Sequence, residues 1–278
     1  MATILWMIDV GPWAAEGLPQ VVAWARGLGA AVRICHATGL PPRLRAPKGE
    51  HIEPGDSAAE RERVALAREY LGRLREKLEA EGISVKVVVQ GGHPEDVAAE
   101  WVRAEAVELV VAGRTRLHGI DRLLLGSTTR RIIRAVSGST LVLGEGAGPL
   151  STLLCPVEVE DPEEEAHILL VAEWARRLGV AVRWLGVEEG RSSRLGSEDL
   201  EVRLCRKVEG ALGRRLPAEH RIQAIVAESA IAGILAQAEG VELIALRHSG
   251  RRGLARLLAG DVSERVVAKC PLSVLVSH

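Results

Sequence analysis

The sequence predicts an α/β fold built twice, and three observations carry that expectation. Short apolar runs rich in β-branched residues alternate with stretches of helical periodicity. Long sequence pieces recur in the second half of the chain. A Gly144–Pro149 stretch rich in glycine falls between the copies and suits a linker. Strands that are apolar throughout, alternating with helices, imply parallel sheets covered on both faces.

The recurrence has two blocks. Trp24–Arg33 returns as Trp174–Arg183 at an offset of 150. Val107–Leu109 with Gly119 and Arg122–Leu124 returns as Val241–Leu243 with Gly253 and Arg256–Leu258, at an offset of 134. The second copy has therefore lost 16 residues between the blocks. A period near half the chain means duplication of a whole domain, with expected domains at 1–146 and 147–278.

The elements of the first copy follow in order. Thr3 to Ile8 is an apolar strand, and Ala14 to Leu28 a helix ended by Gly29. Ala31 to His36 is the next strand. Thr38 to Ser57 carries four prolines and reads as a long loop. Ala58 to Glu81 is an amphipathic helix with Val64, Leu71, Leu74 and Leu78 at helical spacing. Ile83 to Val89 is a strand, and Pro94 suits the first turn of a helix reaching Ala106. Val107 to Ala112 and Ser139 to Leu143 complete five strands.

Composition narrows the function classes. A net charge of −1 over 278 residues predicts neither a nucleic-acid binder nor a polybasic membrane binder. No segment reaches the ~20 apolar residues of a membrane helix. The first residues lack a basic leader, so a cytoplasmic location is expected. Cys35, Cys155, Cys205 and Cys270 are scattered and read as reduced thiols. Lysine supplies five of the 36 basic residues and asparagine is absent, which fits a thermophile or a GC-rich genome. The histidines lack metal-ligand spacing, and no nucleophile elbow is visible. Gly27–Gly29 lies at a helix end, the wrong context for a dinucleotide fingerprint. The six tryptophans read as core, with Trp6 and Trp13 flanking Asp9 near the expected site.

The segment from Gly113 to Thr129 carries the most chemistry. Gly113 directly follows the strand ending at Ala112, and Gly126 precedes Ser127, Thr128 and Thr129 at a helix start. A glycine lets backbone approach an anion, and a helix start supplies free N–H groups and a positive dipole end. That arrangement suits phosphate. It is no Walker A loop, because no Gly-Lys-Ser/Thr follows.

This segment resembles the nucleotide loop of the universal stress protein family, Gly-x2-Gly-x9-Gly-Ser/Thr. Gly113, Gly126 and Ser127 fall on that pattern, while Arg116 replaces its second glycine. If position 116 requires φ > 0, arginine there costs roughly 1–2 kcal/mol. Alternatively the loop has re-formed around Gly119, with the Arg116 guanidinium facing the phosphates. Gln90–Pro94 looks like the family's Gly-x-Pro turn.

The resemblance implies two flavodoxin-like (HUP-type) open parallel sheets of order 3-2-1-4-5 in tandem, forming an intrachain pseudo-dimer. It implies ATP or a related adenine nucleotide (AMP or ADP), with or without Mg²⁺, as ligand of the first copy. Asp9 would contact the nucleoside, Ala37 would present its backbone to adenine, Gly113, Gly126, Ser127 and Thr128 would hold the phosphates, and Ala112 counts among the nucleotide-binding residues. Asp9 also suits a solvated loop or helix cap, and Gly126–Ser127 an ordinary helix start. The nucleotide would be sensed or turned over very slowly, since no general base is apparent. The rival is a scaffold protein with both clefts degenerate. Homodimerisation and the protein partner are left open.

In the second copy the matching loop reads Arg247-His248-Ser249-Gly250, and Asp261 follows Gly260 in place of serine. A carboxylate ~4 Å from a phosphate charge costs about 4 kcal/mol at an effective dielectric of 20. Glu158 replaces the aspartate and five further acids follow by Glu165. Either these form a solvated acidic helix start, or Arg247, Arg251 or Arg252 pairs with Glu158 or Glu160 and closes the cleft. One nucleotide-binding copy and one degenerate copy are expected.

Overall fold

A computed structural model describes residues 2–11, 14–39, 58–116, 123–145, 150–190, 197–248 and 262–278. It divides into two compact units, Met1–Leu143 and Gly144–His278.

In the first unit, strands β1 (Thr3–Met7), β2 (Ala31–Ala37), β3 (Val85–Gln90), β4 (Val107–Ala112) and β7 (Ser139–Val142) form one sheet in the order β3-β2-β1-β4-β7. Every pairing between these strands is parallel. Counting the five strands along the chain, this is the expected 3-2-1-4-5 order. Its apolar side chains are buried on both faces, which is why the strands lack polar alternation. Leu5, Met7, Cys35, Val110 and Ala112 pack with Val97, Ala98 and Trp101 of α3 (Pro94–Ala104) and Ile132 of α4 (Ser127–Ala135).

Helix α1 (Leu18–Leu28) stops where expected, at Gly29 in the left-handed region (φ 59°). The residues before it, Ala14–Gly17, form a 3₁₀ turn rather than α-helix. A Cβ on Gly17 would run into Leu143 Cδ1, so a larger residue there would displace the Leu143 side chain. Helix α2 (Ala58–Ala80) buries Val64, Leu71, Leu74 and Leu78 as its periodicity requires. The proline-rich expectation at 40–57 lies outside the described residues.

One expected loop holds additional structure. Strands β5 (Thr115–Arg116) and β6 (Leu123–Leu124) pair antiparallel, Arg116 opposite Leu123. Ladder pairing demands extended backbone, so the left-handed penalty weighed for Arg116 does not arise. Gly119, His118 and Trp13 lie outside the described residues.

The second unit repeats the plan. Its strands β8 (Thr152–Pro156), β9 (Ala181–Glu189), β10 (Arg221–Ala227), β11 (Leu243–Arg247) and β12 (Ser273–Ser277) run β10-β9-β8-β11-β12, again parallel. Helices α5 (Glu164–Leu178), α6 (Ser197–Leu212), α7 (Ala230–Ala236) and α8 (Val262–Lys269) cover them. Register fixes the equivalences between copies. Ile4 faces Leu109 as Leu153 faces Leu243, and Met7 faces Cys35 as Pro156 faces Leu185. Glu158 therefore corresponds to Asp9, Gly186 to His36, and Arg247 to Gly113.

No described helix is long and apolar enough to cross a membrane. Cys35, Cys155 and Cys270 are free and buried. Trp6 is buried in the core, which removes it as a platform for a base.

Candidate functional site

In open α/β sheets the ligand crevice lies beyond the strand carboxyl ends, where strand order reverses. In the first unit that point is between β1 and β4, whose last residues Met7 and Ala112 face each other. The chain leaves β1 through Ile8 and Asp9 and leaves β4 through Gly113. Asp9 and Gly113 are thus brought to one place, as the sequence reading expected. Ala37 ends β2 beside them, half-buried.

Asp9 is an extended carboxylate. Its Oδ1 accepts from the Val10 N–H at 2.9 Å, and the side chain is 99% exposed. Among the described residues, a Cβ on Gly113 would meet no heavy atom within 4 Å, and its φ lies outside the left-handed region. Neither its backbone nor its described neighbours require glycine.

The other wall is the start of α4. Thr129 donates its hydroxyl to the Gly113 carbonyl at 2.6 Å, tying the loop's first residue to the helix's first turn. Gly126 is the N-cap in extended conformation and supplies no side-chain cap. Ser127 is exposed, Thr128 is half-buried, and the first turn holds no acid. An uncapped helix start without a carboxylate favours an anion through its N–H groups and dipole. Arg130 follows one turn in, exposed, while Arg131 pairs with Glu95 at 3.2 Å. Of Arg116 the structure describes the backbone only, in β5.

The second unit fills the same place with its own side chain. Arg247, equivalent to Gly113, is 9% exposed. Its Nε donates to Glu164 at 2.8 Å, Nη1 to Glu163 at 3.0 Å, and Nη2 to Asp161. The crevice is closed by Arg247, and Asp161, Glu163 and Glu164 hold it. Glu158 and Glu160 were expected there as neighbours of the lost aspartate. The turn at 159–163 brings Asp161 and Glu164 inward, while Glu160 pairs with Arg203 of α6. Arg251, Arg252 and Asp261 lie outside the described residues.

Electrostatics agree with closure. Burial raises the Glu164 carboxyl above its ordinary range, against the pull of Arg247. At the position of Arg130 stands Glu264, buried in α8, so the sign of the helix start is reversed. Beneath the plug, His167 Nδ1 and Ser277 Oγ are 2.7 Å apart, and Cys155 Sγ lies 3.5 Å from His167 Nε2. Burial lowers the His167 pKa to about 4 and pushes the Cys155 thiol well above its usual value. A neutral imidazole beside a protonated thiol is a packed polar core, without a nucleophile. No group of three or more metal-ligating side chains occurs among the described residues.

Residues 1–144 and again 158–278 match the universal stress protein family. The chain belongs to that family. A universal stress protein from Archaeoglobus fulgidus DSM 4304 superposes with a TM-score of 0.71 at 17% identity, covering 99% of this chain and 95% of that one. A putative universal stress protein from Pseudomonas aeruginosa UCBPP-PA14 gives 0.68 at 18%, covering 99% and 92%. At these identities the likeness establishes the shared fold. No curated protein matches the chain.

Sequence reasoning passed over one polar residue at this universal stress protein crevice. His36 Nδ1 lies 3.0 Å from the Ile8 carbonyl oxygen and 3.9 Å from Asp9 Oδ1. A lone histidine in an apolar strand reads as core; its place at the strand's carboxyl end, one residue before Ala37, was the available signal.

Proposed function

We propose that the chain binds one adenine nucleotide, in the amino-terminal unit, and acts as a nucleotide-linked sensor or regulator. The observation that carries this reading is the contrast at one register position. Gly113 leaves an uncharged, uncapped helix start open opposite Asp9, whereas Arg247 fills the equivalent space on three carboxylates. The residues present fit a nucleoside polyphosphate. The Gly113 backbone and the N–H groups of Ser127 and Thr128 would hold phosphate oxygens, and Arg130 would add positive potential. Asp9 would accept from ribose hydroxyls, and the backbone at Ala37 would border the base.

ATP is the form proposed. Mg²⁺, where it accompanies the ligand, would be held by phosphates and water, because α4 offers no acid in its first turn. Efficient hydrolysis is not proposed, since among the described residues no side chain at the crevice is placed as a general base. The proposal puts the protein in the cytoplasm, where such a ligand is abundant.

Calorimetric titration with ATP, AMP and cyclic AMP tests it. One site per chain is expected. Two sites would overturn the division between copies, and no heat or thermal shift at millimolar ATP–Mg²⁺ would overturn nucleotide binding in favour of a scaffold.

A further inference from the structure

We infer that His36 is a positioning residue for the ribose subsite: it fixes the Ile8–Asp9 peptide so that the Asp9 carboxylate stands out toward a sugar diol. This rests on the nucleotide reading above and names a residue which that reading does not use.

The β1–β2 pairing closes at Met7 opposite Cys35, and the Ile8 N–H still donates to the Cys35 carbonyl at 2.9 Å. Beyond that the chain must leave the sheet, and the Ile8 carbonyl is taken by a side chain. A carbonyl oxygen only accepts, so His36 Nδ1 carries the proton and donates to it at 3.0 Å. The Ile8 peptide is thereby held at both ends. The next residue is Asp9, whose Oδ1 takes the Val10 N–H and lies 3.9 Å from the same imidazole nitrogen. The His36 side chain is 16% exposed and Asp9 is fully out in solvent. A largely buried donor thus holds the root of an exposed acceptor. An exposed carboxylate on a free loop would sample many directions, and fixing its root reduces the ordering that ligand binding must supply.

The second unit supplies an independent observation. There the ladder ends alike, with the Val157 N–H donating to the Leu185 carbonyl at 2.8 Å. The residue equivalent to His36 is Gly186, which has no donor to offer the Val157 carbonyl. Leu200 and Leu204 of α6 come within 3.4 Å of where its Cβ would be, so apolar side chains use the space. The unit plugged by Arg247 lacks the histidine, and the open unit has it.

The test compares ATP with 2′,3′-dideoxy-ATP on the full chain and its His36 variants. Wild type should prefer ATP. H36A should bind ATP roughly tenfold more weakly, about what one hydrogen bond carries, and bind the dideoxy analogue unchanged. H36N should restore the preference, because its Nδ2 falls where Nδ1 stood, and H36Q should not. A diol preference retained in H36A, or lost in H36N, would overturn the inference. A second readout needs no ligand: imidazole nitrogen shifts should report the Nδ1–H tautomer, and the Nε2–H tautomer would overturn it. Failure of wild type to bind either nucleotide would strike the proposed function, while the tautomer still decides the role of His36.

Discussion

The two crevices differ in what occupies the exit of one strand. In the amino-terminal unit that residue is Gly113, and no described atom lies within 4 Å of where its side chain would start. In the carboxyl-terminal unit it is Arg247, clamped by Asp161, Glu163 and Glu164. Sheet order and strand register are shared, so the fold does not dictate an open site. The contrast shows how a duplicated domain closes a crevice: one cation replaces a missing side chain, and carboxylates from the opposite wall hold it. The acids that would repel a phosphate are then the acids that neutralise the plug.

The largest expected effect comes from importing the second unit's acid. Ser127→Asp places a carboxylate about 4 Å from a phosphate, which costs about 4 kcal/mol, roughly a thousandfold in affinity. ATP titration should show binding lost while the Tm of the free protein is kept. Retained binding would mean that the phosphates lie elsewhere.

Next is pH. The folded His167 titrates at about 4, below its ordinary 6.5, because burial disfavours the charged ring. Its stabilising contribution is complete above about pH 6.5 and is lost as pH falls through about 4. By linkage the full loss is ~3 kcal/mol. Glu164, raised by burial, acts in the opposite direction, so the comparison must be with His167→Asn. In the first unit Trp6, Gly17 and Leu143 take the places of Cys155, His167 and Ser277, and none of them titrates in this range. Hydrogen exchange in acid should therefore show α5 and β12 loosening before β1 and β7.

Arg247→Ala should destabilise the second unit by about 3 kcal/mol, because it strands the buried Glu164 without its counter-charge. Adding Glu164→Gln should recover part of that loss in urea unfolding, and strict additivity would deny the pair its role. The smallest effect belongs to Gly113→Ala. Its Cβ meets no described atom within 4 Å, so unfolding free energy should change by no more than about 0.5 kcal/mol. ATP affinity should nonetheless fall, since the methyl group occupies the ligand's approach. Unchanged affinity would remove Gly113 from the site.

Much of this was legible in the residues. Apolar β-branched runs such as Val107–Ala112 announce strands because both faces are buried, and Gly29 announces a helix end because it tolerates φ > 0. The duplication carried each assignment into the second half. Three features were not legible. Two-residue strands at 115–116 and 123–124 are too short to show alternation. Which acids of a six-acid run reach Arg247 depends on how the 159–163 turn is wound, and these are Asp161, Glu163 and Glu164. His36 carries no pattern around it, and its partner is a backbone carbonyl invisible to side-chain reasoning.

The Arg247 plug also sets how the chain ages when its ligand runs short. A bound ligand adds stability to the unit that holds it, by about 2.7 kcal/mol at a hundredfold excess over Kd. The carboxyl-terminal half owns its counter-ion covalently, so its resistance to unfolding stays constant through feast and starvation. Under the proposed function only the amino-terminal half would soften when nucleotide is depleted, and proteases would begin there, making turnover of the protein itself a readout of energy supply.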